Sequence, residues 1–228
     1  MSANTWLKAQ EGIHNGSSPT TTQKWGSLAS ILLVISFFVA PLIYFTGNLR
    51  DTFGAVTYDI ADFLYGPVWA ASLIISVFAL RERLGKHAPR RMTLALIAAA
   101  LAAGAMLSVA LIRSANRHYH ILHPELNLEH STTVLIVWTT LVAGVSAAGW
   151  HCLGWTLTLI GSAGWTTRGL PRLLSGLYLA GGIASLSVYL NPELEQASVL
   201  LGLVWGTWQA ILFWNSAPKE EAQSISES

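Results

Sequence analysis

The stretch that decides the fold runs from Arg117 to Trp165 and changes character near its middle. Its first part, RHYHILHPELNLEHS (117–131), is polar, whereas its second part, TTVLIVWTTLVAGVSAAGWHCLGWTLTLIGSAGW (132–165), contains no Asp, Glu, Lys or Arg. An uncharged run of this length is typical of a membrane helix, because about 20 apolar residues cover roughly 30 Å of hydrocarbon. The stretch therefore predicts a water-facing loop that enters a membrane helix.

The composition of the whole chain indicates the same class of protein. Of the 228 residues, 52% are hydrophobic and 11% are charged, whereas soluble domains are about a quarter charged. The net charge of +1 gives no support for a nucleic-acid partner, since the cations are spread over short loops. We therefore expect an all-α, polytopic integral membrane helix bundle whose main partner is the lipid bilayer.

Six hydrophobic runs are long enough to be read as membrane spans. They cover about Trp25–Tyr44, Val56–Leu80, Met92–Ile112, Thr132–Gly161, Leu170–Leu190 and Ala197–Trp214. The fourth run exceeds one perpendicular crossing, so it must tilt, protrude from the bilayer or break near Gly149 or Gly154. A break would make seven helices the alternative count.

The distribution of Lys and Arg predicts the orientation of the chain. With six spans, ten cations fall on the side of both termini and three on the other side, at Arg50, Arg113 and Arg117. Cytoplasmic loops are enriched in Lys and Arg, so both termini are expected in the cytoplasm, with the chain in a bacterial inner membrane. We expect a disordered cytoplasmic tail over 1–24, a transmembrane domain over 25–214 and a polar cytoplasmic tail over 215–228.

Small residues at four-residue spacing predict close contacts between helices or with other membrane subunits. The sixth run carries Gly202, Gly206 and Ala210, and the fifth carries Gly176, Ala180 and Ala184. Pro67 removes a backbone hydrogen bond within the second run, so a kink is expected near Phe63.

Two carboxylates in the second run form the first candidate site. Asp59 and Asp62 are three residues apart, so both lie on one face of the helix, near its outer end. A carboxylate inside a membrane segment suggests a functional site. The alternative is helix capping, because the positive end of the helix dipole tolerates anions in the first turns.

The polar stretch before the fourth run forms the second candidate site. Imidazole and carboxylate groups are common ligands of divalent metals such as zinc or copper. The candidate ligands are His118, His120, His123, His130, Glu125 and Glu129, with Asp62 from the second run. The spacing matches no standard metal motif, so the alternatives are an external pH sensor and a solvated polar loop.

Aromatic and polar side chains lower in the bundle form the third candidate, a ligand pocket. The residues are Trp150, His151 and Trp155 on the fourth run and Trp205, Trp208 and Gln209 on the sixth. Haem is disfavoured because His151 has no second embedded histidine to complete paired ligation. Instead, a hydrogen bond between His151 and Gln209 is predicted if the two faces meet.

No motif assigns the chain to a family or identifies a catalytic residue, so two functional classes stay open. The first is a non-catalytic subunit or sensor whose outward-facing histidine and carboxylate cluster binds an ion, a proton or a partner. The second is a membrane enzyme or transporter with a metal or proton site at the outer mouth of the bundle. Convergence of Asp62 with two of the histidines would favour the second class.

Overall fold

The computed structural model describes residues 21–45, 56–123, 125 and 132–215, and within them the chain is helical with no β-strand. Six helices follow one another along the sequence. They are α1 (Thr21–Phe45), α2 (Val56–Leu84), α3 (Pro89–Leu122), α4 (Thr132–Thr167), α5 (Arg172–Ser187) and α6 (Leu194–Trp214). The predicted tails lie outside the described residues except for 21–24, which belong to α1, and Asn215, which caps α6.

The helices form an up-and-down ring in which each packs against its neighbours in sequence and α1 closes the ring against α6. Antiparallel packing of α1 on α2 is seen in the 3.3 Å contact between the Oγ atoms of Ser30 and Ser76 and in the contact of Phe37 with Trp69. The ring therefore has two ends. We call them the Arg117 end, where α2, α4 and α6 begin, and the Arg83 end, where α1, α3 and α5 begin.

Five of the helices are long and apolar enough to cross a membrane, which indicates an integral membrane protein. The exception is α5, whose 16 residues reach about 24 Å at 1.5 Å per residue, less than roughly 30 Å of hydrocarbon. The structure supports a helical membrane bundle with five candidate spans. A sixth crossing by α5 stays a prediction.

The third and fourth helices differ from their predicted form. Helix α3 does not end near Ile112 but continues to Leu122, so His118 and His120 lie on a helix rather than in a loop. Nothing before Pro124 interrupts the helix, and a residue that precedes proline is disfavoured in helical geometry. Helix α4 is a single helix of 36 residues without a break at Gly149 or Gly154, so the seven-helix alternative is wrong for the described residues.

Glycines bring α4 and α5 into backbone contact. A Cβ atom on Gly154 would lie 2.8 Å from the backbone nitrogen of Leu186 and 2.9 Å from the carbonyl oxygen of Gly182. The α6 glycines predicted for helix contact do pack on α1, since Gly202 lies against Phe37 and Gly206 lies against Val34. On α5, by contrast, the predicted face is only partly buried, since Gly176 and Ala184 are half-buried and Ala180 is exposed.

Pro67 interrupts α2 as predicted, and the interruption is a π-helical turn over Leu64–Val68. Because proline has no N–H, the regular i to i−4 ladder cannot continue through this turn. Gly66 within it packs against the side chain of Ala110 on α3. The turn lies immediately below Asp62, which makes it part of the surroundings of the first candidate site.

Aromatic side chains fill the interior of the ring at mid-height. Phe37, Trp69, Trp205 and Tyr178 come from four different helices and are each almost fully buried. Phe37 meets Trp69 and Trp205 edge-on at centroid distances of 6.0 and 6.4 Å, and Tyr178 lies 5.2 Å from Trp205. We call these four residues the aromatic layer, and it separates the two ends of the bundle.

Candidate functional site: an ion triad at the Arg117 end

Asp59, Asp62 and Arg117 form an ionic cluster between α2 and α3, which we call the ion triad. Arg117 Nη2 donates to Asp59 Oδ1 at 2.7 Å and to Asp62 Oδ2 at 2.5 Å, and Arg117 Nε donates to Asp59 Oδ1 at 3.3 Å. The Asp62 side chain is 4% exposed, whereas that of Asp59 is 38% exposed. One guanidinium therefore serves a buried and an accessible carboxylate, and the triad carries a formal charge of −1.

Local helix structure places these three side chains together. Asp59 and Asp62 lie on one face in the first turns of α2, as their spacing predicts. Packing of Gly66 against Ala110 sets the antiparallel register of α2 and α3. In this register Arg117, seven positions after Ala110, lies beside Asp62. Tyr58 adds a ring 5.9 Å from the Arg117 guanidinium carbon, within the range of a cation–π interaction.

A second group of polar side chains continues from the triad toward α4 and α6. Arg113 lies one turn below Arg117 on α3 and acts electrostatically on Glu195 at the start of α6. The Glu195 carboxylate also contacts the indole of Trp150, although that contact falls short of a well-formed hydrogen bond. Sequence reasoning missed Arg113 and Glu195 as a pair, because they lie on different helices far apart in the sequence and only the fold brings them together.

The histidines predicted as metal ligands do not join the ion triad. His118 Nδ1 is bonded to the carbonyl oxygen of Ser114 at 2.8 Å, and His123 Nδ1 pairs with Glu125 Oε1 at 3.2 Å. His120 is half-buried. Within the described ranges, no three His, Cys, Asp or Glu side chains approach closely enough to hold a metal ion.

Asp62 forms an ion pair with Arg117, and no described histidine joins the two carboxylates. Burial explains the difference, because a carboxylate removed from water needs a strong cationic partner and a guanidinium supplies one with fixed charge. Glu129 and His130 lie outside the described residues. The convergence of Asp62 with two histidines that would have favoured a metal enzyme or transporter is therefore not seen.

The residues predicted as a ligand pocket divide between two environments. His151 and Trp155 face outward from α4, where Trp155 Nε1 donates to His151 Nε2 at 3.2 Å. Trp150, Trp205 and Gln209 are buried inside the ring. Trp208 is half-buried. The six side chains thus do not line one pocket, because Trp150 lies on the buried face of α4 whereas His151 and Trp155 lie on its exposed face.

Gln209 has a different partner from the predicted His151. Tyr178 Oη donates a short hydrogen bond to Gln209 Oε1, and Gln209 Nε2 donates to the carbonyl oxygen of Ser76 at 3.5 Å. Sequence reasoning missed Tyr178, although a single tyrosine among small residues (GLYLAGG, 176–182) was an available signal. This network lies on the Arg83 side of the aromatic layer, away from the ion triad.

Comparison with known proteins supplies no relative for this chain. No protein-family model, curated protein or solved structure matches it.

Proposed function

We propose that this protein is a non-catalytic membrane sensor, or the sensing subunit of a membrane assembly, and that the ion triad responds to an external cation. The observation that carries the proposal is the sharing of Arg117 between exposed Asp59 and buried Asp62. In the proposed orientation, with both termini in the cytoplasm, the Arg117 end of the bundle faces the outside of the cell. Among the described cations, Arg113 and Arg117 lie at that end and eight lie at the Arg83 end, which supports the same orientation.

A cation that reaches Asp59 competes with Arg117 for carboxylate oxygens. Two carboxylates and one guanidinium give the triad a formal charge of −1, which favours cations over anions. Carboxylate oxygens are hard ligands that suit ions such as Ca²⁺. When a cation displaces Arg117, the ion pairs between α2 and α3 are broken. Cation binding therefore changes the packing of these two helices.

The π-helical turn over Leu64–Val68 supports this mechanism because it lies directly below the triad. A helix whose hydrogen-bond ladder is already interrupted can bend or re-register at lower cost than a regular helix. Such turns are frequent at functional sites. The first turns of α2, which carry both carboxylates, can therefore move relative to the rest of the helix by bending at this π-helical turn.

The aromatic layer argues against the alternative of a transporter. A transported ion would have to leave the triad through the middle of the ring, where Phe37, Trp69, Trp205 and Tyr178 are packed with almost no exposed surface. Ion pathways are lined by polar groups or water-filled cavities. At this level the described side chains are mainly apolar aromatic rings that pack against one another.

Pulsed electron paramagnetic resonance tests the proposal by measuring the distance between α2 and α3. In a Cys152→Ser background, Ile60→Cys and Leu111→Cys place nitroxide labels on exposed positions of the two helices. We expect CaCl₂ to change the distance distribution saturably and Asp59→Asn to remove the response. Glu125→Gln, which removes an exposed carboxylate at the same end outside the triad, should keep it.

Two results would contradict the proposal. One is a distance distribution that does not change with CaCl₂ or NaCl, and the other is an equal response in Asp59→Asn and Glu125→Gln. Uptake of ⁴⁵Ca²⁺ into liposomes that contain the protein is a separate measurement. Uptake that Asp59→Asn abolishes would support the transporter alternative and contradict the sensor proposal.

A further inference from the structure

Three depressions on the lipid-facing side of α1, α2 and α3 join into one groove, which we call the α2 groove. The first, about 370 Å³, lies between the end of α2 and the start of α3 and is lined by Arg81, Lys86 and Phe78. The second, about 410 Å³, shares Phe78 and continues to Ile75 and Trp25. The third, about 310 Å³, shares Ile75 and Trp25 and reaches Pro67 and Phe63.

The chemistry of the α2 groove changes sharply along its length. The first depression holds two cationic side chains, one carboxylate from Glu82, and the hydroxyl of Thr93. The second and third are almost entirely apolar, with Ile74, Ile75, Leu96 and Trp25 among their walls. A charged pocket that opens into an apolar channel is complementary to an amphiphile with an anionic head.

The cations of the first depression are available to a ligand, unlike two of their neighbours. Arg83 Nε donates to the carbonyl oxygen of Gly169 at 3.0 Å, and Arg91 Nη1 donates to Thr166 Oγ1 at 2.8 Å. Arg81 and Lys86 are exposed, and in the part of the chain that the structure describes no hydrogen bond or ion pair engages their side chains. Their positive charge is therefore free to meet an anion.

The apolar part of the groove is long enough to cover an acyl chain through one leaflet of a bilayer. From Phe78 to Pro67 the groove follows α2 for eleven residue steps, or about 17 Å at 1.5 Å per step, and it continues beyond Pro67 to Phe63. Half of a hydrocarbon core of roughly 30 Å is about 15 Å. An acyl chain whose head group sits at the membrane surface therefore meets apolar walls over the full depth of its own leaflet.

We propose that the α2 groove binds one anionic phospholipid from the leaflet at the Arg83 end. The phosphate lies beside Arg81 and Lys86, and an acyl chain lies along Phe78, Ile75 and Trp25. Charge complementarity selects the head group, and the apolar channel selects a ligand with a tail over free phosphate. This role is independent of the ion triad, which lies at the opposite end of the bundle.

Native mass spectrometry of the delipidated full-length protein tests this proposal with an equimolar mixture of phosphatidylglycerol and phosphatidylcholine of matched chains. We expect one phosphatidylglycerol to be retained in preference. The double variant Arg81→Gln/Lys86→Gln should weaken its retention at least about tenfold, since each cation near a membrane surface contributes roughly fivefold. Arg168→Gln/Arg172→Gln removes two exposed cations at the same end, outside the groove, and should leave retention unchanged.

A second variant tests the apolar channel without changing charge. Ala100 is exposed and lines the second depression, so Ala100→Phe should fill the channel and lower phosphatidylglycerol retention. Leu101→Phe alters a neighbouring lipid-facing position that does not line it and serves as the matched control. Equal retention of the two lipids, equal effects of the two double variants, or displacement of the bound lipid by inorganic phosphate would each overturn the proposal.

Discussion

The two ends of this bundle use charged side chains in opposite ways. At the Arg117 end, a guanidinium and two carboxylates pair with one another between α2 and α3, and one of the carboxylates is almost completely buried. At the Arg83 end, Arg83 and Arg91 bond to groups at the end of α4 and in the turn after it, while Arg81 and Lys86 point outward. Charged groups at the first end pair with one another, whereas those at the second end bond uncharged groups of a neighbouring helix and turn or face the membrane surface.

The largest effect is expected from Arg117→Gln, which leaves the buried Asp62 carboxylate without its cation. Removal of one partner from a buried pair typically costs 3 to 5 kcal/mol, and we expect about 3 kcal/mol because Arg117 keeps some exposure. Denaturant unfolding in detergent measures the change. Addition of Asp62→Asn should recover most of the lost stability. A loss of stability below about 0.5 kcal/mol in the single variant would show that the triad contributes no more than an ordinary surface ion pair.

A smaller loss is expected at the Arg83 end from Arg83→Gln. This change removes the charged donor to the carbonyl oxygen of Gly169, and hydrogen bonds of charged groups contribute about 1.5 to 3 kcal/mol. We expect about 1.5 kcal/mol, since the Arg83 side chain is only half-buried. The same unfolding assay applies. A loss of stability as large as that of Arg117→Gln would contradict the proposed difference between the two ends.

Between the ends, double-mutant cycles distinguish the observed partner of Gln209 from the one that the sequence suggested. Tyr178→Phe and Gln209→Leu should show a coupling of about 0.6 to 2 kcal/mol, the range of hydrogen bonds between membrane helices. His151→Leu and Gln209→Leu should be additive within about 0.5 kcal/mol, because His151 bonds Trp155 on the outside of α4. Coupling in the second cycle but not in the first would reverse this assignment.

The smallest effect on stability is expected from Arg81→Gln, measured in detergent free of added lipid. Arg81 is exposed and faces the α2 groove, and surface substitutions of this kind change stability by less than about 0.5 kcal/mol. The contrast with Arg83→Gln, two residues away, sharpens the division between cations that fix a turn and cations that face the bilayer. A loss above about 1.5 kcal/mol would mean that Arg81 has a structural role.

Much of the fold was predictable because membrane helices can be recognised in a sequence by their length and hydrophobicity. The positions of α1, α2 and α6, the irregularity at Pro67 and the packing role of Gly202 and Gly206 all follow from local sequence. The end of α3 lies later than predicted because the polar segment before His123 is typical of a loop by composition but continues the helix. Helix continuation depends on the absence of a breaker, and none precedes Pro124.

The candidate site was predictable only in part. The spacing of Asp59 and Asp62 places both on one face, which is a property of α2 alone. Their pairing with Arg117 depends on the register between α2 and α3, and that register is set by contacts such as Gly66 with Ala110, which no local pattern encodes. The histidines were predicted as partners of Asp62 from metal-ligand chemistry alone, and that chemistry carries no information about the register.

The backbone contact between α4 and α5 has a consequence for the order in which the molecule assembles. Gly154 and Gly182 bring the two helices together across a turn of only a few residues, 168–171, so little chain entropy is lost when they meet. Closure of the ring between α1 and α6 joins helices that are far apart in the sequence and has to wait until α6 has been synthesised. We therefore expect the α4–α5 hairpin to form before the α1–α6 contact during folding in the membrane.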